Sequence, residues 1–99
     1  MAGSKVGIAL VEFIGTFVFL SVILAVAQPD AKSYAPLAIG LALAAAIWFA
    51  WNVSGGHFNP AVTVMSAVNG STDAMTAIVY IVAQIFGALA AVAFVKYVR

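Results

Sequence analysis

From Val6 to Ala27 the chain is a continuous, predominantly apolar stretch, with Glu12 as its single charged side chain. As a helix this stretch reaches about 30 Å, close to the hydrocarbon thickness of a bilayer. One such run could still be the core helix of a soluble domain. The rest of the chain argues otherwise, because 66% of its 99 residues are apolar and only 7% are charged. A water-soluble domain of that size needs a charged outer face, and this composition cannot build one. In lipid the backbone must satisfy its own polar groups, which leaves helices as the natural solution for runs of this kind. The fold class that follows is an all-α membrane protein, a single membrane domain over residues 1–99.

Two further segments fit that class. Leu37 to about Val53 is uncharged and apolar, and Ala74 to Val95 is a third run, closed by Lys96, Tyr97 and Arg99 at a headgroup-like boundary. Gln28 to Pro36 is polar, carries two prolines and reads as an interfacial loop. Lys5, the first apolar run and Ala25-Val26-Ala27 also have the outline of a secretory signal with its cleavage site. The run is too long for that and contains Glu12, so it is read as a retained span.

Between the second and third spans lies the unusual element. Ser54-Gly55-Gly56-His57-Phe58 is irregular, and Asn59 then precedes Pro60 and a short apolar stretch to Val68. Asn is a preferred N-cap and Pro is favoured at the first helical position, so a helix starts here. Asn69-Gly70-Ser71-Thr72-Asp73 stops it after about ten residues, or about 15 Å. A half-length helix after glycine-rich backbone predicts a re-entrant segment, about 54–68, that dips to the membrane midplane and returns.

Small residues recur at four-residue spacing in Gly40/Ala44, Ala42/Ala46/Ala50 and Ala83/Gly87/Ala91. Their simplest reading is close helix packing. Trp48 and Trp51 are expected to face lipid or a neighbouring helix. Asn52-Val53-Ser54 and Asn69-Gly70-Ser71 match the glycosylation pattern, but the first sits at membrane depth and the match is taken as chance.

Composition also excludes several functions. The near-neutral charge argues against a nucleic-acid partner. Without cysteine there is neither a disulfide nor a thiolate metal site, and a lone His57 makes no metal centre. The three acids, Glu12, Asp30 and Asp73, belong to different elements, so no catalytic constellation forms and neither enzyme nor cofactor is expected. Asp73 reads as an N-cap of the third span. No ATP-binding motif argues for pumping.

What remains is polar groups at membrane depth. Non-helical backbone there must be buried in protein or line a water-filled cavity, because bare carbonyls in lipid cost several kcal/mol each. The carbonyls of Gly55 to Phe58, the Asn59 amide and the positive end of the half-helix converge on one place. Together they suit a neutral hydrogen-bonding solute and repel cations.

These residues also carry a resemblance. Ser54-Gly55-Gly56-His57-Phe58-Asn59-Pro60-Ala61-Val62-Thr63 resembles the first pore motif of the aquaporins and glycerol facilitators. Glu12-Phe13-Ile14-Gly15-Thr16 resembles that family's first-helix signature, and Tyr80, Ala83-Gln84 and Gly87-Ala88 its third helix. Three signatures in order make essentially the whole chain similar to the N-terminal half of such a channel: three transmembrane helices plus one re-entrant half-helix.

The resemblance implies roles for the matching positions. Asn59 would donate its amide to passing solute, while Pro60 and Ala61 would contact a second motif. The carbonyls of Gly55, Gly56 and His57 would line the approach as successive acceptors. Glu12 would lie buried behind the loop and hold it, with Gln84 in a similar supporting part. The His57 side chain is equally readable as a structural loop residue. An intramembrane carboxylate such as Glu12 is by itself a functional candidate, for which scaffold support is preferred here over proton relay. Gln84 also reads as glue between helices.

The chain departs from that family in carrying one motif where the family pattern has two. The wall must be completed, and the simplest completion is a second copy inserted upside down, giving a homo-oligomer. Lys5 lies on one side of the expected topology, and Lys32, Lys96 and Arg99 on the other, a weak bias that suits insertion both ways up. The family's mouth-narrowing positions correspond to Val62 and Ile39, neither aromatic nor arginine. A wider, greasier constriction is expected, with cation rejection resting on paired half-helix dipoles. The expected function is a passive channel subunit for water or small neutral solutes such as glycerol, multi-pass in the cell (inner) membrane. The alternatives are half of a split channel with a different partner chain, a non-conducting fragment, and a modulatory membrane subunit.

Overall fold

In the computed structural model of the chain, residues 4–28 and 33–99 are described, and every regular element among them is an α-helix. The order is α1 (Lys5–Val26), α2 (Ala35–Ala50), α3 (Pro60–Val68) and α4 (Ala74–Tyr97). Pro29 to Lys32, the middle of the expected interfacial loop, lies outside the described residues.

Local chemistry sets most helix ends. Ser4 opens α1 by accepting a hydrogen bond from the Gly7 N–H at 3.0 Å, which starts the helix just ahead of the apolar run. Asp73 caps α4 through the Thr76 N–H at 2.8 Å. That carboxyl is held below its usual range by the Thr76 backbone hydrogen bond and then by the Thr76 hydroxyl. The helix runs on to Tyr97, past the expected Val95, with Lys96 in the last turn where a cation suits the helix dipole.

The second segment differs from expectation. It was expected to run from Leu37 to about Val53, but α2 begins two residues earlier and stops at Ala50. The Ala50 carbonyl accepts from three successive amides, those of Val53, Ser54 and Gly55, which winds the chain out of helical register. Gly55 and Gly56 then take φ of 81° and 69°, which a right-handed helix cannot continue. At 16 residues α2 is about 24 Å long, and α1 and α4 are the two described helices long and apolar enough to cross a membrane.

Packing centres on α1, which lies between α2 and α4, while α3 rests on α4 and does not pack against α2. The helices α1 and α4 run in the same direction, since Glu12 meets Gln84 and Phe17 meets Phe94 further along. Their approach depends on Gly87, where a Cβ would stand 2.8 Å from the Phe13 carbonyl and 3.0 Å from Thr16. Ala83 and Ala91, one turn either side, are buried with it. Ala46 and Ala50 of α2 form a second core with Phe58. The third pair is different: Gly40 and Ala44 are exposed, and nothing lies within 4 Å of a Cβ at Gly40.

The distribution of polarity is inverted relative to a soluble protein. Val6, Leu10, Ile14 and Val18 form an exposed apolar face on α1, and Phe86 and Leu89 do the same on α4. The largest fully buried side chains are Gln84, Glu12, Thr16 and Thr63. Polar groups are gathered inside, and apolar groups cover the outside.

Candidate functional site

The interior polar groups converge on the loop between α2 and α3. Glu12, with no exposed surface, projects from α1 into that loop. One carboxylate oxygen accepts from the Ser54 hydroxyl at 2.7 Å and the His57 N–H at 3.0 Å. The other accepts from the Phe58 N–H at 2.8 Å and the Gln84 amide at 3.0 Å. Two bonds to each oxygen fill the lone-pair directions of a carboxylate. Donors that a short irregular loop cannot pair within itself are thus satisfied by a side chain more than forty residues away in sequence.

This clamp holds backbone in an uncommon conformation. Phe58 has φ of 51°, in the left-handed region that costs a non-glycine residue about 1–2 kcal/mol. Its N–H bond to Glu12 fixes one side, and its ring is buried against Gly15, where any Cβ would fall 2.1 Å from the ring. Gly56 is equally constrained, since a Cβ there would meet the Ile47 backbone at 2.9 Å. Gly55 has open space around it.

Further bonds tie the loop to α3 and α4. The Tyr80 hydroxyl donates to the Ser54 carbonyl, and the Tyr80 ring stacks on His57 with centroids 4.1 Å apart. His57 Nδ1 lies 2.9 Å from Thr63 Oγ1, which also accepts from Gln84 Nε2 at 3.0 Å. The buried Gln84 Oε1 has no hydrogen-bond partner.

Asn59, Pro60 and Ala61 are exposed. Asn59 Oδ1 caps α3 by accepting from the Ala61 N–H at 2.8 Å, which leaves the two amide hydrogens of its side chain pointing elsewhere. Among the described residues, no donor reaches the carbonyls of Gly55, Gly56 or His57. Of the expected site residues, Glu12, Gln84 and His57 therefore meet in one network. Asn59, Pro60 and Ala61 sit together at the exposed start of α3. Ile39 and Val62 are half-buried on α2 and α3, helices that do not touch, so the chain does not bring these two together by itself.

Sequence reasoning gives no part to Thr63 or to the Phe58 side chain. The hydroxyl of Thr63 inside a nine-residue apolar helix is the visible signal for the first. Nothing in the spacing of Gly15 and Phe58 announces the second, because their contact depends on how α1 and the loop fold together.

An all-helical unit with an apolar exterior, and one polar loop pinned from within, defines the architectural class. The chain matches the sequence model of the major intrinsic protein family over residues 9–99, and it belongs to that family. It is 47% identical over 90 residues to glycerol uptake facilitator protein-like 6 of Lactiplantibacillus plantarum, covering 88% of this chain and 41% of the relative. It is 43% identical over 101 residues to aquaporin TIP2-1 of Arabidopsis thaliana, covering 90% of this chain and 40% of that protein. With aquaporin Z of Photorhabdus laumondii the identity is 39%, over 83% of this chain and 39% of the other. The chain thus spans well under half the length of these curated relatives. No solved structure matches it.

Proposed function

We propose that this chain is a subunit of a passive membrane channel for water and small neutral solutes such as glycerol. In this reading residues 1–99 form one half-channel domain, with α1, α2 and α4 as its three crossings and residues 54–68 as a re-entrant loop and half-helix. Asn59 and the carbonyls of Gly55, Gly56 and His57 line the path, with Ile39 and Val62 near its narrow part. Pro60 and Ala61 meet a second motif, and Glu12 and Gln84 hold the loop. An inverted second copy supplies the missing wall.

The observation that carries this reading is the one-sidedness of the loop. The Ser54 hydroxyl and the His57 and Phe58 N–H groups are bonded to Glu12, while the carbonyls of Gly55, Gly56 and His57 and the Asn59 amide have no partner among the described residues. Bare polar backbone of this kind cannot face lipid, so either water or another polypeptide must meet it. Family membership and relatives named for glycerol uptake and as aquaporins support the same reading.

The test is reconstitution of this chain alone into liposomes, followed by osmotic shrinkage and then by a glycerol gradient. Shrinkage well above that of empty liposomes, abolished by Asn59→Asp, is the expected result. Folded, inserted protein that shrinks no faster than empty liposomes would overturn self-assembly and point to a different partner chain.

A further inference from the structure

Asn69-Gly70-Ser71, in the turn from α3 to α4, has no part in the pore path just described, and Asn69 differs chemically from Asn52 and Asn59, the other asparagines of the chain. An asparagine converts to an acid when the backbone nitrogen of the next residue attacks its Cγ. The attack closes a five-membered imide, so the next residue must carry an N–H and leave room for the ring. Asn59 is followed by Pro60, whose nitrogen carries no hydrogen, and that route is closed. Asn52 is followed by Val53, a β-branched residue whose N–H is bonded to the Ala50 carbonyl at 2.9 Å. Asn69 is followed by Gly70, which has no side chain to obstruct the ring and already sits at φ of 86°.

Tertiary structure sets the exposure and the approach. Asn69, Gly70 and Ser71 are all exposed. Lys5 lies near enough to act on the Asp73 carboxyl, so this end of the molecule gathers charge and belongs in water. The Asn69 carboxamide leans forward along the chain: its Nδ2 donates to the Ser71 hydroxyl at 3.1 Å, so the side chain spans Gly70 rather than folding back on α3. The Gly70 N–H donates to the Ala67 carbonyl at 3.1 Å, and this bond must open before the nitrogen can attack. It lies in an exposed turn past the end of α3, where local opening costs little. Beyond it the Ser66 carbonyl accepts from the N–H groups of Ser71 and Thr72, and the Ser66 and Thr72 hydroxyl oxygens lie 2.6 Å apart, which ties α3 to the start of α4.

We propose that Asn69 is a site of spontaneous deamidation driven by its own backbone, and that the turn thereby acquires a negative charge against the C-terminal end of α3. The Gly70 nitrogen bonds to Asn69 Cγ and gives its proton to solvent, and the Cγ–Nδ2 bond breaks with release of ammonia. Water then opens the imide at either carbonyl, leaving aspartate or, with the backbone rerouted through Cβ, isoaspartate. The sum is an amide and a water giving a carboxylate and an ammonium ion, with no oxidant or cofactor. The new carboxylate stands beside the last carbonyls of α3, the negative end of its dipole, and works against the helix that carries Asn59 at its other end. The inference goes beyond the channel reading and does not depend on it.

The full chain in lipid nanodiscs is aged at mildly alkaline pH in ¹⁸O-labelled water, which marks conversion during ageing, and its peptides are read by mass spectrometry. An enzyme that methylates isoaspartate reports the rerouted product. The expected result is an ¹⁸O-bearing acid at Asn69, isoaspartate among the products, and intact Asn52 and Asn59 in the same molecules. Gly70→Ala should lose most of the rate. Because that substitution strains a positive φ, the asparagines of the wild-type chain are the comparison that needs no variant, and Asn69→Asp is the second arm. Asn69→Asp and the aged wild type should both melt below the fresh wild type. An Asn69 that stays intact while a short unfolded peptide of the same sequence converts overturns the proposal, as does equal conversion at Asn52 or an acid without isoaspartate. Asn69→Asp melting together with the wild type overturns the effect on α3. None of these readouts depends on conduction, so a failure of the channel reading is told apart from a failure here.

Discussion

The loop from Ser54 to Asn59 has two sides that could hardly differ more. Toward α1 and α4 the Ser54 hydroxyl and the His57 and Phe58 N–H groups donate to Glu12, the Ser54 carbonyl accepts from Tyr80, and Phe58 fills a slot that only glycine at position 15 leaves open. By contrast, the carbonyls of Gly55, Gly56 and His57 and the side-chain amide of the exposed Asn59 have no partner among the described residues. The difference shows a division of labour within six residues. One side supplies the rigidity that lets the other present unpaired polar groups in a fixed array.

On that division, the bonds to Glu12 should dominate stability. Glu12→Leu is expected to have the largest effect, because it orphans buried donors on the loop and each costs about 1–3 kcal/mol. The folded fraction in a detergent denaturation series should collapse, and Glu12→Gln should fall between it and the wild type. A Glu12→Leu chain as stable as the parent would break the comparison.

Close helix approach comes next. Gly87→Leu must force α1 and α4 apart at the Phe13 carbonyl, an overpacking cost of about 1–3 kcal/mol. Gly40→Leu enters open space, and its thermal melting should stay close to that of the wild type. Equal effects at the two glycines would refute the packing of α4 on α1.

The adjacent loop glycines sharpen the contrast further. Gly55→Ala and Gly56→Ala both place a side chain at positive φ, at about 1–2 kcal/mol each. Only Gly56→Ala also meets backbone, at Ile47, so its melting temperature should drop further. Asn59→Ala on the bare side removes an N-cap, worth about 1 kcal/mol. It should cost little stability yet abolish permeation in the liposome assay, the reverse of what a purely structural residue would show.

The smallest effect belongs to Asp73. Its folded-state pKa lies below the unfolded one, so its contribution is present above the usual carboxylate range and fades as pH falls through the folded value. Melting curves of wild type and Asp73→Asn should therefore differ slightly near neutrality and converge in strong acid. The difference is slight because the group is fully exposed.

Much of the molecule is legible in one dimension. The spacing of charges fixes the apolar helices, because a run without charge has no other stable form in lipid. Asn59 before Pro60 fixes the start of α3, because capping chemistry is local. The same holds for Ser4 and Asp73, whose bonds reach only three residues ahead. What residue spacing alone could not determine is how distant elements meet, although the family resemblance already set Glu12 and Gln84 behind the loop. The slot at Gly15 for Phe58, the chain from Gln84 through Thr63 to His57, and the exposed fate of Gly40 against the buried one of Gly87 have no signature in spacing. A hydrogen bond or a close contact exists only when three dimensions bring its partners together, and tertiary structure alone decided which glycines touch and which nitrogen of His57 meets Thr63.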